Sequence, residues 1–244
     1  MNPAGNTVAE QDRTAPGIVA AGGVLAVSLT ITLVAGLDTG TALTDPAQLR
    51  RTISEYGLGT GAQALVFTTA VALLAVGSAA VLATLLRRGL VRLRSTATAG
   101  LALWVLGLAT IAIFPKQDHS QPDTMGGDLH RIASLVAFVS LPIAASALAR
   151  RWRQHPTWGR FARRTGLLAG VSAVMFAPLV YAVTVAITTG TRWWEVLPLG
   201  YVERGLLLAE VVTMLAIGGW SVAKERPSAG FHGSTPDAQP SLAE

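Results

Sequence analysis

Apolar residues in this chain gather into six runs, each about the length of a bilayer crossing, and what separates them is short and polar. A hydrocarbon core of ~30 Å takes roughly 20 helical residues. Six segments meet that length: Pro16–Leu37, Ala62–Leu86, Thr96–Phe114, Ile132–Ala149, Thr165–Thr189 and Gly205–Ala223. The pattern predicts an all-α fold, a polytopic membrane bundle of six transmembrane helices. Pro16 suits a first helical turn, where a missing N–H is harmless. Pro142 and Pro178 should bend the fourth and fifth helices, which a bundle tolerates when neighbours satisfy the freed carbonyls. The fourth run is the shortest. Residues 1–14 and 224–244 carry too little apolar surface to order themselves, so both ends are expected to be disordered around a transmembrane domain spanning 15–223.

Charge orients the bundle. The turn Arg87–Arg94 and the stretch Arg150–Arg164 hold ten arginines and no acid, giving +4 and +6. The connections Asp38–Gly61, Pro115–Arg131 and Gly190–Arg204 carry −1, −1 and 0. Basic loops stay in the cytoplasm, so both termini are expected there and the other three loops outside. Trp104, Trp152, Trp158, Trp193, Trp194 and Trp220 lie mostly near run ends, where interfacial anchors sit. Gly166 and Gly170, with Ala162 and Ala173 or Val174 nearby, make a small-residue face suited to close packing inside the bundle or, second, to a homodimer seam.

Composition agrees with that picture: 244 residues, 51% hydrophobic and 14% charged. A net charge of +5 and a pI near 10.4 raise the question of nucleic acid, but the basic residues sit in turns between apolar runs, so membrane lipids are the expected partner and nucleic acid is not. Cysteine is absent, which excludes disulfides and thiolate chemistry. The first run follows acidic residues and exceeds a signal-peptide core, so it reads as an uncleaved helix. The excess of arginine over lysine points to a GC-rich bacterium, and the expected location is the bacterial plasma membrane.

With this orientation most remaining polar residues fall on the outer side. Asp45–Gly57 reads as a cap, a first-turn proline and a short amphipathic helix with Leu49, Ile53 and Tyr56 on one face. It serves first as an element closing the mouth of the bundle, and second as a site containing Ser54 and Glu55. His119 and His130, with Asp118, Asp123 and Asp128 nearby, have the ligand types zinc uses, but their spacing matches no metal motif; no metal and no cofactor are expected. Asp128 reads as a helix cap. His130, at the start of an apolar helix, is a titratable ring that an acid across the bundle would orient. Glu203 and Glu210 are seven apart and share a helix face; Arg204 is the nearest basic partner. An ionisable group at membrane depth raises a functional question by default, although an ion pair fastening the sixth helix is the simpler reading.

The residues Thr52–Gly57, Phe114-Pro115 with Asp118, Leu129-His130 and Gly200–Arg204 fall in order between the right helices, and in this the chain resembles the prokaryotic membrane family called domain of unknown function 998. The resemblance runs from the first helix to the sixth and implies a six-helix bundle with a polar cluster on one side. It implies no activity. It carries over to Ser54, Glu55, Asp118, His130, Glu203 and Arg204. Relatives commonly hold glutamine where this chain has Glu203, a departure that bears on any role needing a neutral amide.

Three functions are consistent with these features, in this order. The first is binding a lipid or small amphiphile through the outer polar cluster, with Ser54, Glu55, Asp118, His130, Glu203, Arg204 and Glu210 as site residues. The second is an intramembrane hydrolase acting on a lipid head group, with His130 as base and Asp118 or Glu210 orienting it. The third is a structural or assembly role. Phosphate-binding and nucleophile motifs are absent, so a non-enzymatic protein is favoured.

Overall fold

The computed structural model describes residues 4–58, 61–118, 122, 124–192 and 196–223. Its helices are α1 (Ala4–Thr44), α2 (Ala62–Arg87), α3 (Thr96–Ile113), α4 (Met125–Trp152), α5 (Gly159–Met175), α6 (Ala177–Thr189) and α7 (Leu199–Val222), with two 3-10 turns, Pro46–Arg50 and Ile53–Gly57, between α1 and α2. Among the described residues there is no strand, and six stretches are long and apolar enough to cross a bilayer, α5 and α6 together making one. The chain is a multi-pass membrane protein.

Several boundaries move from their expected positions. α1 is already helical at Ala4 and runs through Pro16, so that proline is not in a first turn. Its far end lies at Thr44 rather than Leu37, because the charge of Asp38 is taken up by the Arg204 guanidinium at 2.8 Å and does not force the helix to stop. α4 begins at Met125, not Ile132. Its cap is Thr124, whose hydroxyl accepts from the Gly127 N–H at 3.2 Å. Asp128 is therefore not the cap but a first-turn acid paired with Arg131 at 3.1 Å, a favourable place beside the positive end of the helix. The shortest crossing is consequently α3, with 18 residues. α7 opens at Leu199, which brings Glu203 and Arg204 inside the helix.

Proline acts differently at its two positions. Pro142 is accommodated within an unbroken α4. Pro178 falls in the first turn of α6, and the helix breaks at Phe176, whose N–H is shared between Ser172 and Ala173 carbonyls at 3.2 and 3.3 Å. Past the break α6 leans away, and Ala182 is its one buried residue. The α5–α6 crossing has only 11% of its apolar window buried, against 56% for α7. α7 is the hub: it touches α1, α2, α4 and α5.

Tryptophan is a core residue here. Trp104 and Trp220 are fully buried and Trp158 nearly so, which corrects the expectation of interfacial anchors for these three. Full burial is possible because both indole N–H groups find an acceptor: Trp104 donates to Ser78 Oγ and Trp220 to Thr165 Oγ1, both at 3.0 Å. Trp193 and Trp194 lie outside the described residues, as does the segment 224–244. At the arginine-rich end, Arg88 donates to the carbonyls of Trp220 and Ser221 at the end of α7 and of the Ala223 that caps it, at 2.9, 2.8 and 2.7 Å. Its guanidinium also lies 5.8 Å from the Trp158 ring centroid, and Trp158 stacks on Trp220 at 5.5 Å.

The tightest seam is not the one the glycine spacing suggested. Gly166 sits opposite Ala149, inside the bundle, while a Cβ on Gly170 would meet nothing within 4 Å. Gly23 of α1 and Gly77 of α2 are instead the close approach, a Cβ on Gly77 falling 2.7 Å from the Gly23 carbonyl oxygen. Gly77→Ala is expected to lower stability by roughly 1–3 kcal/mol through overpacking of this seam. Gly170→Ala, in open space, should not lower it. Thermal melts of both variants in the same detergent make the comparison.

Candidate functional site

Residues 45–58 form a lid over one end of the bundle. Asp45 Oδ1 accepts from the Ala47 N–H at 3.1 Å, starting the first 3-10 turn. Ile53 and Tyr56 are buried against Phe67 of α2, with Val34, Leu37, Val71 and Leu207 around them. The expected apolar face thus turns into the protein, and the segment closes the bundle mouth as two 3-10 turns where one short helix was expected. The lid is close enough to α7 that a Cβ on Gly200 would fall 2.5 Å from the Arg50 carbonyl carbon.

Arg204 ties the lid down. Nε and Nη2 make a bidentate pair with Asp38 of α1, both at 2.8 Å. Nη1 donates to the carbonyls of Leu49, Arg51 and Gly200 at 3.0, 2.8 and 2.9 Å. The Tyr56 hydroxyl donates to Asp38 Oδ1 at 2.9 Å; burial pushes this phenol above its ordinary pKa and keeps the donor proton in place. The guanidinium fork is occupied by the protein's own acceptors. That is an architectural role.

A second cluster lies beside it. Glu55 Oε1 accepts from the Thr52 N–H and hydroxyl at 3.4 and 3.1 Å, and Lys116 reaches both residues, 3.3 Å from Glu55 Oε1 and 2.5 Å from Thr52 Oγ1. The Ser54 hydroxyl donates to Thr52 Oγ1 at 3.2 Å, and the Ser54 N–H to Glu203 Oε1 at 3.3 Å. Glu203 Oε2 has no hydrogen-bond partner among the described residues. His130 is buried, and its Nδ1 lies 2.8 Å from the Phe114 carbonyl. A carbonyl only accepts, so Nδ1 carries the proton and Nε2 is the basic nitrogen of the neutral ring.

These groups border an open cavity of about 1010 Å³ bounded by the lid, α4, α6 and α7. Arg50, Arg51, Ser54, Glu55, Lys116, Arg131, His130 and Glu203 line its polar side; Leu135, Phe138, Leu179, Val180 and Val183 line its apolar side. A smaller void of about 50 Å³ lies deeper, bounded by Trp104 and Leu108, and shares Ser54, His130, Ser134, Phe138 and Glu203 with the larger one. The splayed α6 makes the cavity lateral, because a helix packed flush with the bundle would fill it.

Of the residues expected in a site, Ser54, Glu55, His130 and Glu203 converge on this cavity. Arg204 is spent on the lid. Asp118 is exposed and does not line the cavity. Glu210 is fully buried, lines neither cavity, and neither of its carboxyl oxygens has a hydrogen-bond partner among the described residues. Neither acid expected to orient His130 therefore shares its cavity. His119, Asp123 and Glu195 lie outside the described residues; among those described, no group of three or more His, Asp or Glu side chains is arranged to hold a metal ion. The residues that sequence reasoning overlooked are Asp38, Thr52 and Lys116. Lys116 left a signal, being one of two lysines in a chain with seventeen arginines.

Arg204→Ala should cost roughly 1.5–3 kcal/mol, the range for hydrogen bonds to a charged group, since the pair with Asp38 is only partly buried. Arg204→Lys keeps the charge but not the fork, so it should recover only part of that loss; equal stability of the Lys variant and wild type would show that charge alone holds the lid. Glu210→Met replaces an unpartnered carboxyl with an apolar side chain of similar length. It should raise stability by roughly 1–3 kcal/mol, read as a higher melting temperature in detergent, and a fall would reveal a partner for that carboxyl.

No curated protein and no solved structure matches the chain. The family model described as "Protein of unknown function (DUF998)" matches residues 20–220, nearly the whole of the bundle and the lid. The chain belongs to this family of proteins of unknown function.

Proposed function

We propose that this protein binds a lipid or small amphiphile in the lateral cavity, on the extracytoplasmic side of the cell membrane. The observation that carries the reading is the division of the cavity wall: apolar side chains from α4 and α6 on one side, hydroxyl, imidazole, carboxylate and guanidinium groups from the lid, α4 and α7 on the other. Ligand sites combine a mostly apolar wall with a few placed polar groups in volumes of roughly 300–1,000 Å³, and this cavity is at the upper end of that range. Its side opening suits a molecule that arrives with its chain already in the bilayer.

Orientation rests on the arginines. The two turns at the opposite end hold ten of them without an acid, and keeping them in the cytoplasm turns the lid outward. Binding is favoured over hydrolysis because Asp118 and Glu210, the acids expected to orient His130, do not line its cavity.

Native mass spectrometry of the detergent-purified protein should find a retained amphiphile. Leu179→Trp together with Val183→Trp fills the apolar wall, and should weaken retention about tenfold, ~1.4 kcal/mol, while leaving the helical circular dichroism spectrum unchanged. A wild type that retains nothing, or a filled variant that retains as much as wild type, would refute the reading.

A further inference from the structure

We propose that the occupant of the cavity is an anionic amphiphile, carrying a phosphate on an acyl chain, and that Arg50 and Arg51 read its charge. The inference rests on taking the cavity as an amphiphile site and adds to it the chemistry of the head group. Four cations line the cavity, Arg50, Arg51, Lys116 and Arg131, against two carboxylates, Glu55 and Glu203. Two of the four are already matched: Lys116 with Glu55 at 3.3 Å and Arg131 with Asp128 at 3.1 Å. Arg50 and Arg51 are exposed, line the cavity, and have no carboxylate partner among the described residues.

Their backbone is held even though their side chains are unmatched. Arg204 grips the carbonyls of Leu49 and Arg51 on either side of Arg50, so both guanidiniums project from a fixed stretch of lid. Two adjacent guanidiniums offer planar donor forks that suit the oxygens of a phosphate. The wall of Leu135, Phe138, Leu179, Val180 and Val183 is apolar. The same wall receives the chain. The ligand therefore enters sideways, tail along α4 and α6, with its phosphate meeting the lid.

Three probes separate the parts of this claim: lysophosphatidylglycerol, monoacylglycerol with the same chain, and inorganic phosphate. Binding is followed by ligand-induced thermal stabilisation and by native mass spectrometry of the full chain in a neutral detergent. Lysophosphatidylglycerol should bind at least about tenfold tighter than monoacylglycerol, and inorganic phosphate should not bind measurably. The double variant Arg50→Gln, Arg51→Gln keeps the carbonyls that Arg204 holds. It should lose the tenfold advantage while monoacylglycerol binding stays unchanged, which also shows that the cavity has survived. Equal affinity for the two acyl probes in wild type, or an undiminished advantage in the double variant, overturns the charge assignment and leaves the cavity reading standing. If neither acyl probe binds, both fall. If inorganic phosphate binds as tightly as lysophosphatidylglycerol, the chain has no place in recognition and the amphiphile is the wrong class.

Discussion

One guanidinium holds the polar end of this protein together. Arg204 spends its fork on Asp38 and on three backbone carbonyls, and those acceptors come from α1, the lid and the first turn of α7. In a bilayer, irregular backbone survives only where its polar groups are satisfied by protein or water. The lid is short, non-α-helical and carries carbonyls with no helix to bond them. Arg204 answers that need, and in doing so fixes where Arg50, Arg51, Ser54 and Glu55 stand. Without it the cavity would lack a roof.

The second determinant is a defect. An unbroken fifth crossing would pack against α4 and α7 along its length and close the space between them. Pro178 cannot donate to Val174, and the helix parts at Phe176. Beyond the break lies a half-helix with little buried surface, and the cavity is the volume it vacates. Many of the polar groups that face this volume are those the lid presents, so a feature of α1–α2 and a feature of α5–α6 together shape one cavity.

Much of the bundle was legible because bilayer thickness imposes a length on apolar runs, and that length is visible without any fold. Pro178 was legible for the same kind of reason, since a missing N–H is a local fact. The boundaries were not. Asp38 looks like the end of a helix until a guanidinium 166 residues away is known to meet it; Glu203 and Arg204 look like loop residues until their partners on the lid are seen. Asp128 has the character of a cap, but Thr124 lies one turn earlier and takes the role. Four residues that border the cavity, Ser54, Glu55, His130 and Glu203, stood out in the sequence because they are polar groups near the end of an apolar run. Asp118 and Glu210 stood out equally, and the sequence has no means of separating a residue that lines a cavity from one that faces solvent or is sealed in the core. Trp220 misled in the opposite direction: its position near a helix end suggested the interface, while the Thr165 hydroxyl on another helix allowed it inside.

Arginine clamps grip α7 at both ends, Arg204 from within its first turns and Arg88 at its last carbonyls. The 24 residues between them make a rod of ~36 Å at ~1.5 Å per residue, longer than a hydrocarbon core of ~30 Å. A helix so fastened has little freedom to tilt on its own when the surrounding bilayer thins or thickens. The loosely held α6 has that freedom. Hydrophobic mismatch would therefore be absorbed beside the cavity, making its width responsive to the thickness of the membrane around it.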